Sequence, residues 1–421
     1  MYQKTVLDNG LRLVTAAMPH TQSVAISFFI GSGSRYETDD QAGICHFIEH
    51  LCFKGTTRRP TARDVAMAIE GMGGILNGGT DKELTVYWCK VAKPHFPTAL
   101  DVIADIILHS RFDPADIEKE SQVIVEEISM GRDSPPQRVA ELIDQLLWPG
   151  HPLGRDIAGS KESVTAITRE MMMGFLADKY QPGNTVLAIA GDIEHEEVVA
   201  MVIQALAEWV DQQPPTGYSA YQEQMGHRLI IDTRDTEQAQ LCLALPGLSL
   251  FHPQRFALDL LNVILGEGMS SRLFTEIRDR LGLAYSIHSS VDHFLDTGAF
   301  IISAGVELKN LQVAIRAITE ELAKLRESVP EQELTKAKEF SKGRLLLRME
   351  DSRSVSGWMG GQELLTGRIL TPDEIIAIVG ALTVDDLRQI ASELLDGERL
   401  RLAVVGPVQQ DESLEELLKI E

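Results

Sequence analysis

Cysteines and long apolar runs are scarce in this chain of 421 residues. It has four cysteines, and no two of them have the spacing of a Cys-x-x-Cys metal or redox motif. So small a number excludes a scaffold held together by disulfides. The longest apolar run, VAISFFIG, is far shorter than the roughly 20 residues that cross a bilayer, so no membrane span is predicted. The N-terminus lacks the basic start and apolar core of a signal peptide, and we therefore expect a cytoplasmic bacterial protein.

Basic residues are also few. The chain has 39 Lys and Arg against 62 Asp and Glu, which gives a formal net charge of −23. Binding to phosphates requires an excess of Lys and Arg, so a nucleic-acid partner is excluded. The acidic surplus suits basic or neutral partners, including basic peptides, and solubility alone is a sufficient alternative reason for it.

The chain has the organisation of a duplicated domain. The segment DQQPPTGYSAYQEQ, residues 211–224, is polar, carries two prolines and has no periodicity, as in a linker. On each side of it, strand-like segments precede long helical patterns. We predict an α+β fold of two homologous sandwich-like domains, each a mostly antiparallel sheet packed with helices. The predicted boundaries are 1–213 for the first domain, 214–224 for the linker and 225–421 for the second.

Two histidines flank a glutamate in HFIEH, residues 46–50. In a helix His46 and His50 lie one turn apart, and their rings project toward one point. Two zinc–nitrogen bonds of about 2.0–2.1 Å require this arrangement. Glu49 lies on the same face, where it can accept a proton from a zinc-bound water without being a ligand. Chance occurrence and a solvated histidine pair are the alternatives, so the motif by itself favours a zinc hydrolase without requiring one.

The residues around HFIEH have the periodicity of an amphipathic helix. Residues 38–40, Thr-Asp-Asp, are candidate N-caps, and Gly55 is a stop signal. At 100° per residue, Ile44, Ile48 and Leu51 share one side and are predicted to face a core. The histidines are then on the opposite side.

A third metal ligand is predicted in the helical pattern of residues 113–133. Glu120 and Glu127 are seven residues apart and nearly superposed, on a face shared with Ile117, Val123 and Ile124. Carboxylates on an apolar face are costly unless they are paired or bind a metal. We therefore expect Glu127 to be the third ligand and Glu120 to orient a ligating histidine. The alternative is an ordinary amphipathic helix whose polar face is poorly delimited.

With these motifs the chain resembles the insulinase/pitrilysin family of zinc peptidases, the inverzincins, whose signature is H-x-x-E-H. Its size resembles the short type, similar to the β subunit of mitochondrial processing peptidase and its bacterial homologues. The resemblance covers nearly the whole chain. The segments that carry it, in family order, are GSRYE (33–37), HFIEHLCFKGT (46–56), GGILNGGT (73–80), ESQVIVEE (120–127), HPLGRDIAGS (151–160), YQPGNTVLAIAGDI (180–193) and LGEGMSSRLFTEIRDRLGLAYS (265–286).

The resemblance implies a zinc metalloendopeptidase with one Zn²⁺ per chain. Carried over position by position, His46, His50 and Glu127 match the metal ligands and Glu49 matches the general base. Glu120 matches the carboxylate that supports a ligand. These assignments agree with the helical-face argument.

Three further residues are implied by the resemblance. Asn77 matches an asparagine near the scissile bond, on an edge strand that binds substrate by strand addition. The family usually has alanine after it, and Gly78 stands there in this chain. Arg278 and Tyr285 match a pair in which arginine binds the substrate backbone and tyrosine stabilises the oxyanion. A turn residue and ordinary surface residues are the alternatives.

The resemblance also implies a homodimer. Longer relatives fuse two such chains into a closing shell, and 421 residues supply half of it. Zinc of one subunit would face Arg278 and Tyr285 of the other. Substrates are expected to be short unfolded peptides or extended N-terminal segments. The alternatives are a non-catalytic subunit, or one that depends on a different partner chain in a processing complex.

Overall fold

Eleven strands form two sheets in the described part of the chain. The structure, a computed structural model, describes residues 2–210, 215–224, 226–409 and 412–420. The strands are Tyr2–Val6 (β1), Arg12–Ala17 (β2), Ser23–Ile30 (β3), Ile75–Thr80 (β4), Thr85–Ala92 (β5), Thr185–Gly191 (β6), Leu229–Thr233 (β7), Ala239–Pro246 (β8), Ala284–His293 (β9), Gly298–Val306 (β10) and Arg401–Gly406 (β11).

Fourteen α-helices accompany these strands within the same described ranges. They are Ile44–Cys52 (α1), Ala62–Glu70 (α2), Phe96–His109 (α3), Pro114–Asp133 (α4), Pro135–Leu147 (α5), Lys161–Ala166 (α6), Arg169–Lys179 (α7), His195–Ala205 (α8), Arg255–Leu265 (α9), Leu311–Glu327 (α10), Glu331–Arg348 (α11), Ser352–Thr366 (α12), Pro372–Ala381 (α13) and Val384–Leu394 (α14). None of the helices in the described ranges combines the length and apolar content needed to cross a membrane.

The two sheets repeat one pattern of pairing. The first has the strand order β1-β2-β6-β3-β5-β4, and the second has the order β7-β11-β8-β10-β9. In the first, β2 and β6 run parallel and the other neighbours are antiparallel. In the second, β7 and β11 run parallel and the other neighbours are antiparallel. The predicted α+β fold of two duplicated, mostly antiparallel domains is confirmed.

Both faces of the first sheet are covered because its central strands are apolar on both sides. Phe28 of β3 is buried in a cluster with residues of α1 and α3. Its neighbour Phe29 points to the opposite face, as successive strand residues do, and is buried against α12. In the second sheet, Leu243 of β8 packs with α9 and α10, and Cys242 packs with α5. Each domain is therefore a sheet between two helical layers.

The chain forms two compact units that exchange segments. The first unit comprises the residues up to Ile128, together with Asp156–Ser219 and Leu346–Thr371. The second comprises Ser129–Arg155, Ala220–Leu345 and the residues from Pro372 onward. The predicted division into 1–213 and 225–421 separates the chain into two continuous halves. In the structure α5, from the first half, covers the second sheet, and α12, from the second half, covers the first sheet. The predicted linker starts at Pro214, which lies outside the described residues.

Two predicted helix limits differ from the structure. Helix α1 begins at Ile44, after Gly43 with φ 93°, and not at residues 38–40. The carboxylate of Glu37 accepts hydrogen bonds from the backbone N–H groups of Gly43 and Cys45, both at 2.9 Å, and so caps α1 from outside the helix. Helix α1 ends at Cys52, three residues before the predicted stop signal Gly55.

Candidate metal centre

Helix α1 presents the HFIEH residues to one side because its other side is in the core. Ile44 and Ile48 have no exposed surface, and Leu51 is 1% exposed, as the periodicity predicted. His46 and His50 are half-buried on the opposite face, and Glu49 is buried beside them. The structure therefore places the two rings one turn apart and next to a carboxylate.

Three possible metal-donor groups meet at this face. The Nε2 atoms of His46 and His50 are 3.1 Å apart, and His50 Nε2 lies 3.8 Å from Oε2 of Glu127 on α4. One donor atom from each of the three residues lies within 4.8 Å of the others. Donors bonded to a tetrahedral zinc at about 2.0–2.1 Å are roughly 3.3 Å from one another. The predicted His46, His50 and Glu127 set therefore fits a zinc ion.

Glu120 supports His50 from behind. Its Oε1 lies 2.9 Å from His50 Nδ1, and its Oε2 lies 2.6 Å from the Nζ of Lys54. Burial alone would raise the pKa of Glu120, but the hydrogen bonds from His50 and Lys54 outweigh burial and lower it. An ionised carboxylate only accepts hydrogen bonds, so His50 donates through Nδ1, and the neutral ring then has its lone pair on Nε2, the atom that faces His46 and Glu127.

His46 is held in its neutral form. Burial, assisted by the charge of His50, lowers the pKa of His46 to about 4. Its Nδ1 is buried and has no hydrogen-bond partner among the described residues. A neutral imidazole keeps a lone pair, which is the form that binds a metal.

Glu49 is fixed by the sheet edge opposite α1. The Thr80 hydroxyl donates to Glu49 Oε2 at 3.2 Å, and the other carboxylate oxygen lies over Gly78. A Cβ atom at Gly78 would be only 2.7 Å from that oxygen, so glycine leaves the space that the carboxylate occupies. Burial raises the pKa of Glu49 above its ordinary value, despite the nearby charge of His50 and the hydrogen bond from Thr80.

The face of α4 differs from the prediction in one respect. Ile124 is fully buried, but Val123 is 44% exposed and lies outside the apolar face. The Glu127 side chain is also 44% exposed, whereas that of Glu120 is 7% exposed. The prediction of Glu127 rested on the cost of placing a carboxylate on an apolar face. In the structure that cost applies to the buried Glu120 and not to the exposed Glu127. The exposure of Glu127 leaves the donor group open to solvent on one side.

Asn77 lies on a strand and not in a turn. The segment 75–80 is the edge strand β4, and the connection to β5 follows it at residues 81–84. Asn77 is exposed and pairs in register with Trp88 of β5. Its Oδ1 accepts a hydrogen bond from the backbone N–H of Gly78 at 2.8 Å.

Arg278 and Tyr285 belong to the second unit, and the metal-centre residues described above belong to the first. Arg278 lies in a π-helical segment, Phe274–Arg280, and its guanidinium carbon is 5.3 Å from the ring centroid of Tyr285. Tyr285 is the second residue of β9 and is 78% exposed. The two predicted residues are therefore neighbours, with the tyrosine open to solvent.

Sequence reasoning missed three residues that organise the site. Glu37 caps α1, Thr80 bonds Glu49, and Lys54 pairs with Glu120. The position of Lys54 held a usable signal, because it follows His50 by four residues on the same helical face. The contacts of Glu37 and Thr80 depend on the tertiary fold and had no local signal.

Comparison with protein families gives two matches. Residues 12–161 match the sequence model described as Insulinase (Peptidase family M16). Residues 166–340 match the one described as Peptidase M16 inactive domain. The first match contains HFIEH together with Glu120 and Glu127.

Individual proteins match along the whole chain. An uncharacterized zinc protease of Mycobacterium leprae is 36% identical over 99% of this chain and 94% of its own length. The uncharacterized zinc protease YmxG of Bacillus subtilis is 36% identical over 97% of this chain and 98% of its own. A crystal structure of a protease from Helicobacter pylori superposes with a TM-score of 0.90 at 24% identity, covering 97% of this chain and 99% of the other. At that identity the superposition is evidence for the fold alone.

Proposed function

The chain belongs to the insulinase (peptidase M16) family, and from that premise we propose that it is a zinc-dependent metalloendopeptidase. One observation carries the proposal. Two imidazoles on α1 and one carboxylate on α4 converge, and a second carboxylate lies beside them. Two histidines and one glutamate make up a common ligand set of catalytic zinc.

In this proposal one zinc ion per chain is held by His46, His50 and Glu127. When bound, such an ion lowers the pKa of water and polarises the carbonyl to be attacked. Glu120 keeps the proton of His50 on Nδ1, as the 2.9 Å contact indicates. His46 contributes a neutral ring because burial depresses its pKa.

Glu49 acts as the general base and acid. It accepts a proton from the attacking water, and it then delivers that proton to the nitrogen of the leaving amine. Burial raises the pKa of Glu49 above its ordinary value, which makes the carboxylate a better acceptor of that proton. Thr80 holds one carboxylate oxygen, so the other remains available for the proton.

The exposed edge of β4 is the proposed binding surface for substrate. An edge strand has unpaired backbone groups that an extended peptide can bond, with little demand on its sequence. Asn77 lies exposed on this strand, two residues from Ile75 and three from Thr80. Short unfolded peptides or extended N-terminal segments are the proposed substrates, and the net charge of −23 favours basic or neutral ones.

We further propose that the enzyme is a homodimer in which Arg278 and Tyr285 serve the metal centre of the partner subunit. Support comes from the resemblance to longer relatives and from the exposure of Tyr285. Mixed dimers of Glu49→Gln and Arg278→Ala subunits provide the test. Each mixed dimer has one intact site of two, and about half of the dimers formed by random mixing are mixed. Mixing should therefore restore about a quarter of wild-type activity. Two inactive variants that recover nothing on mixing would contradict the arrangement in trans.

The competing function is a non-catalytic or partner-dependent subunit of a processing complex. Loss of a metal ligand or of the base would favour it, and His46, Glu49, His50 and Glu127 are all present. The bacterial origin expected for the chain is supported by the organisms of the relatives named above. The cytoplasmic location stays a prediction.

The deciding experiment is cleavage of unstructured basic and neutral peptides, read by mass spectrometry. Wild type is assayed with and without a chelator, beside Glu49→Gln with its zinc content measured. The proposal expects wild type to cut, the chelator to stop it, and the variant to keep zinc without activity. Wild type that binds zinc and cuts nothing would favour the partner-dependent subunit.

A further inference from the structure

Lys54 and Glu120 form an ion pair directly behind the proposed metal ligand His50. Lys54 Nζ lies 2.6 Å from Glu120 Oε2, and Glu120 Oε1 lies 2.9 Å from His50 Nδ1. The two oxygens of one carboxylate are therefore divided between an ammonium group and a ring N–H. A charge-assisted contact of this length is among the stronger hydrogen bonds in proteins.

The environment of this pair separates it from ordinary surface ion pairs. The side chain of Glu120 is 7% exposed and that of Lys54 is 34% exposed. For comparison, Lys93 and Asp192 in the same unit pair at 2.7 Å with 54% and 32% exposure. A carboxylate removed from water needs a compensating cation, and Lys54 supplies it.

We propose that Lys54 is a positioning residue for the metal centre, and that it acts by fixing the Glu120 carboxylate that orients His50. This inference rests on the proposed metal site, and it extends that site by one residue. Lys54 occupies one oxygen of Glu120 as a donor, so the other oxygen is held toward His50 as an acceptor. His50 then donates through Nδ1, and its Nε2 stays aimed at Nε2 of His46, 3.1 Å away.

The position of Lys54 in the chain explains how the contact arises. Lys54 lies just past the end of α1, and its backbone N–H bonds the carbonyl of Leu51 at 3.0 Å. His46, His50 and Lys54 thus follow one another at intervals of four residues on the side of α1 that faces α4. The pair joins the end of α1 to α4, so a purely structural role is the alternative that a test must exclude.

The test measures zinc affinity, and it does not depend on peptidase activity. Full-length protein is stripped with a chelator, and the zinc Kd is measured by competition with a chromophoric chelator. We expect Lys54→Met to raise the Kd about 10-fold, as removal of a group behind a ligand does. Lys54→Arg keeps the charge and should stay within about threefold of wild type. Lys93→Met, which breaks the exposed pair, should leave the Kd unchanged.

A double-mutant cycle separates positioning from general loosening of the fold. If Lys54 acts through Glu120, then Lys54→Met should change the Kd by less than about twofold in a Glu120→Gln background. Unfolding midpoints of the metal-free proteins are measured beside each Kd. If Lys54→Met fails to fold, Lys54→Gln takes its place, because it retains a donor without the charge.

Three results would overturn the inference. The first is a zinc Kd of Lys54→Met equal to that of wild type. The second is a loss of zinc affinity on Lys54→Met that is as large in the Glu120→Gln background as in the wild-type background. The third is wild-type protein that binds no zinc. A wild type that binds zinc and shows the lysine effect but cuts no peptide would refute the proposed function alone. The role of Lys54 would then stand.

Discussion

Helix α12 approaches the first sheet closely at Gly360, and this contact makes a quantitative prediction. A Cβ atom at Gly360 would lie 2.3 Å from Cδ2 and Cε2 of Phe29 and 3.0 Å from Cβ of Ala188. Carbon atoms in contact are normally about 3.5–4.0 Å apart, so Gly360→Ala would have to displace the ring or the helix by more than an ångström. Phe29 is 5% exposed and has little room to move.

Two opposing effects determine how much Gly360→Ala changes the free energy of unfolding. Replacing glycine by alanine inside a helix stabilises it by up to about 1 kcal/mol. Overpacking a closed core costs about 1–3 kcal/mol, and a clash of this depth belongs at the upper end. We therefore expect Gly360→Ala to lower the free energy of unfolding by about 2 kcal/mol. A Cβ atom at the neighbouring Gly361 would meet open space, with no neighbouring atom within 4 Å, so Gly361→Ala should gain up to about 1 kcal/mol.

The assay is urea unfolding followed by circular dichroism, with chelator present so that metal binding does not add to stability. Both variants change one glycine of the same helix to alanine, so helix propensity cancels in the comparison. The Gly360→Ala midpoint should lie below wild type, and the Gly361→Ala midpoint at or above it. Equal midpoints for the two variants would refute the packing of α12 on Phe29.

Three further predictions concern the site and its surroundings. Gly78→Ala places a methyl group 2.7 Å from Glu49 Oε1, so kcat for peptide cleavage should fall about 10-fold with zinc content unchanged. Glu127→Gln should lower zinc affinity by more than the roughly 10–100-fold typical of residues behind a ligand, as measured by chelator competition. Burial alone would raise the pKa of Asp105, but hydrogen bonds from Thr56, Arg58 and Arg59 lower it below the ordinary value of about 3.9. Its contribution to stability is therefore complete above about pH 5 and is lost as pH falls, so the stability advantage of wild type over Asp105→Asn should shrink between about pH 5 and pH 3 in urea unfolding.

Local periodicity predicted the side of α1 that carries chemistry. The spacing of Ile44, Ile48 and Leu51 determines which side enters the core, and this follows from helix geometry alone. The start of α1 was not predictable in the same way. Its cap comes from Glu37 through a left-handed Gly43, an arrangement with no short sequence signal.

The glycine-rich segment of β4 shows a different limit. Two glycines in six residues have low strand propensity, so the sequence favours a turn. The strand forms because β5 supplies a partner with matching register, from Ile75 opposite Lys90 to Thr80 opposite Thr85. The exposure of Glu127 was also not predictable from the sequence. A helical wheel assigns a residue to a face of the helix, but it does not show how much of that face the neighbouring elements cover.

The exchange of α12 between the two halves has a consequence during synthesis. The face of the first sheet that includes Phe29, Val186 and Ala188 is covered by Met359 and its neighbours. The last strand of that sheet ends at Gly191, long before α12 begins at Ser352. At 5–20 residues per second, a ribosome needs roughly 10–30 s to make the intervening chain. Throughout that interval the nascent protein carries an uncovered apolar sheet face, which makes it a candidate client for chaperones that act at the ribosome.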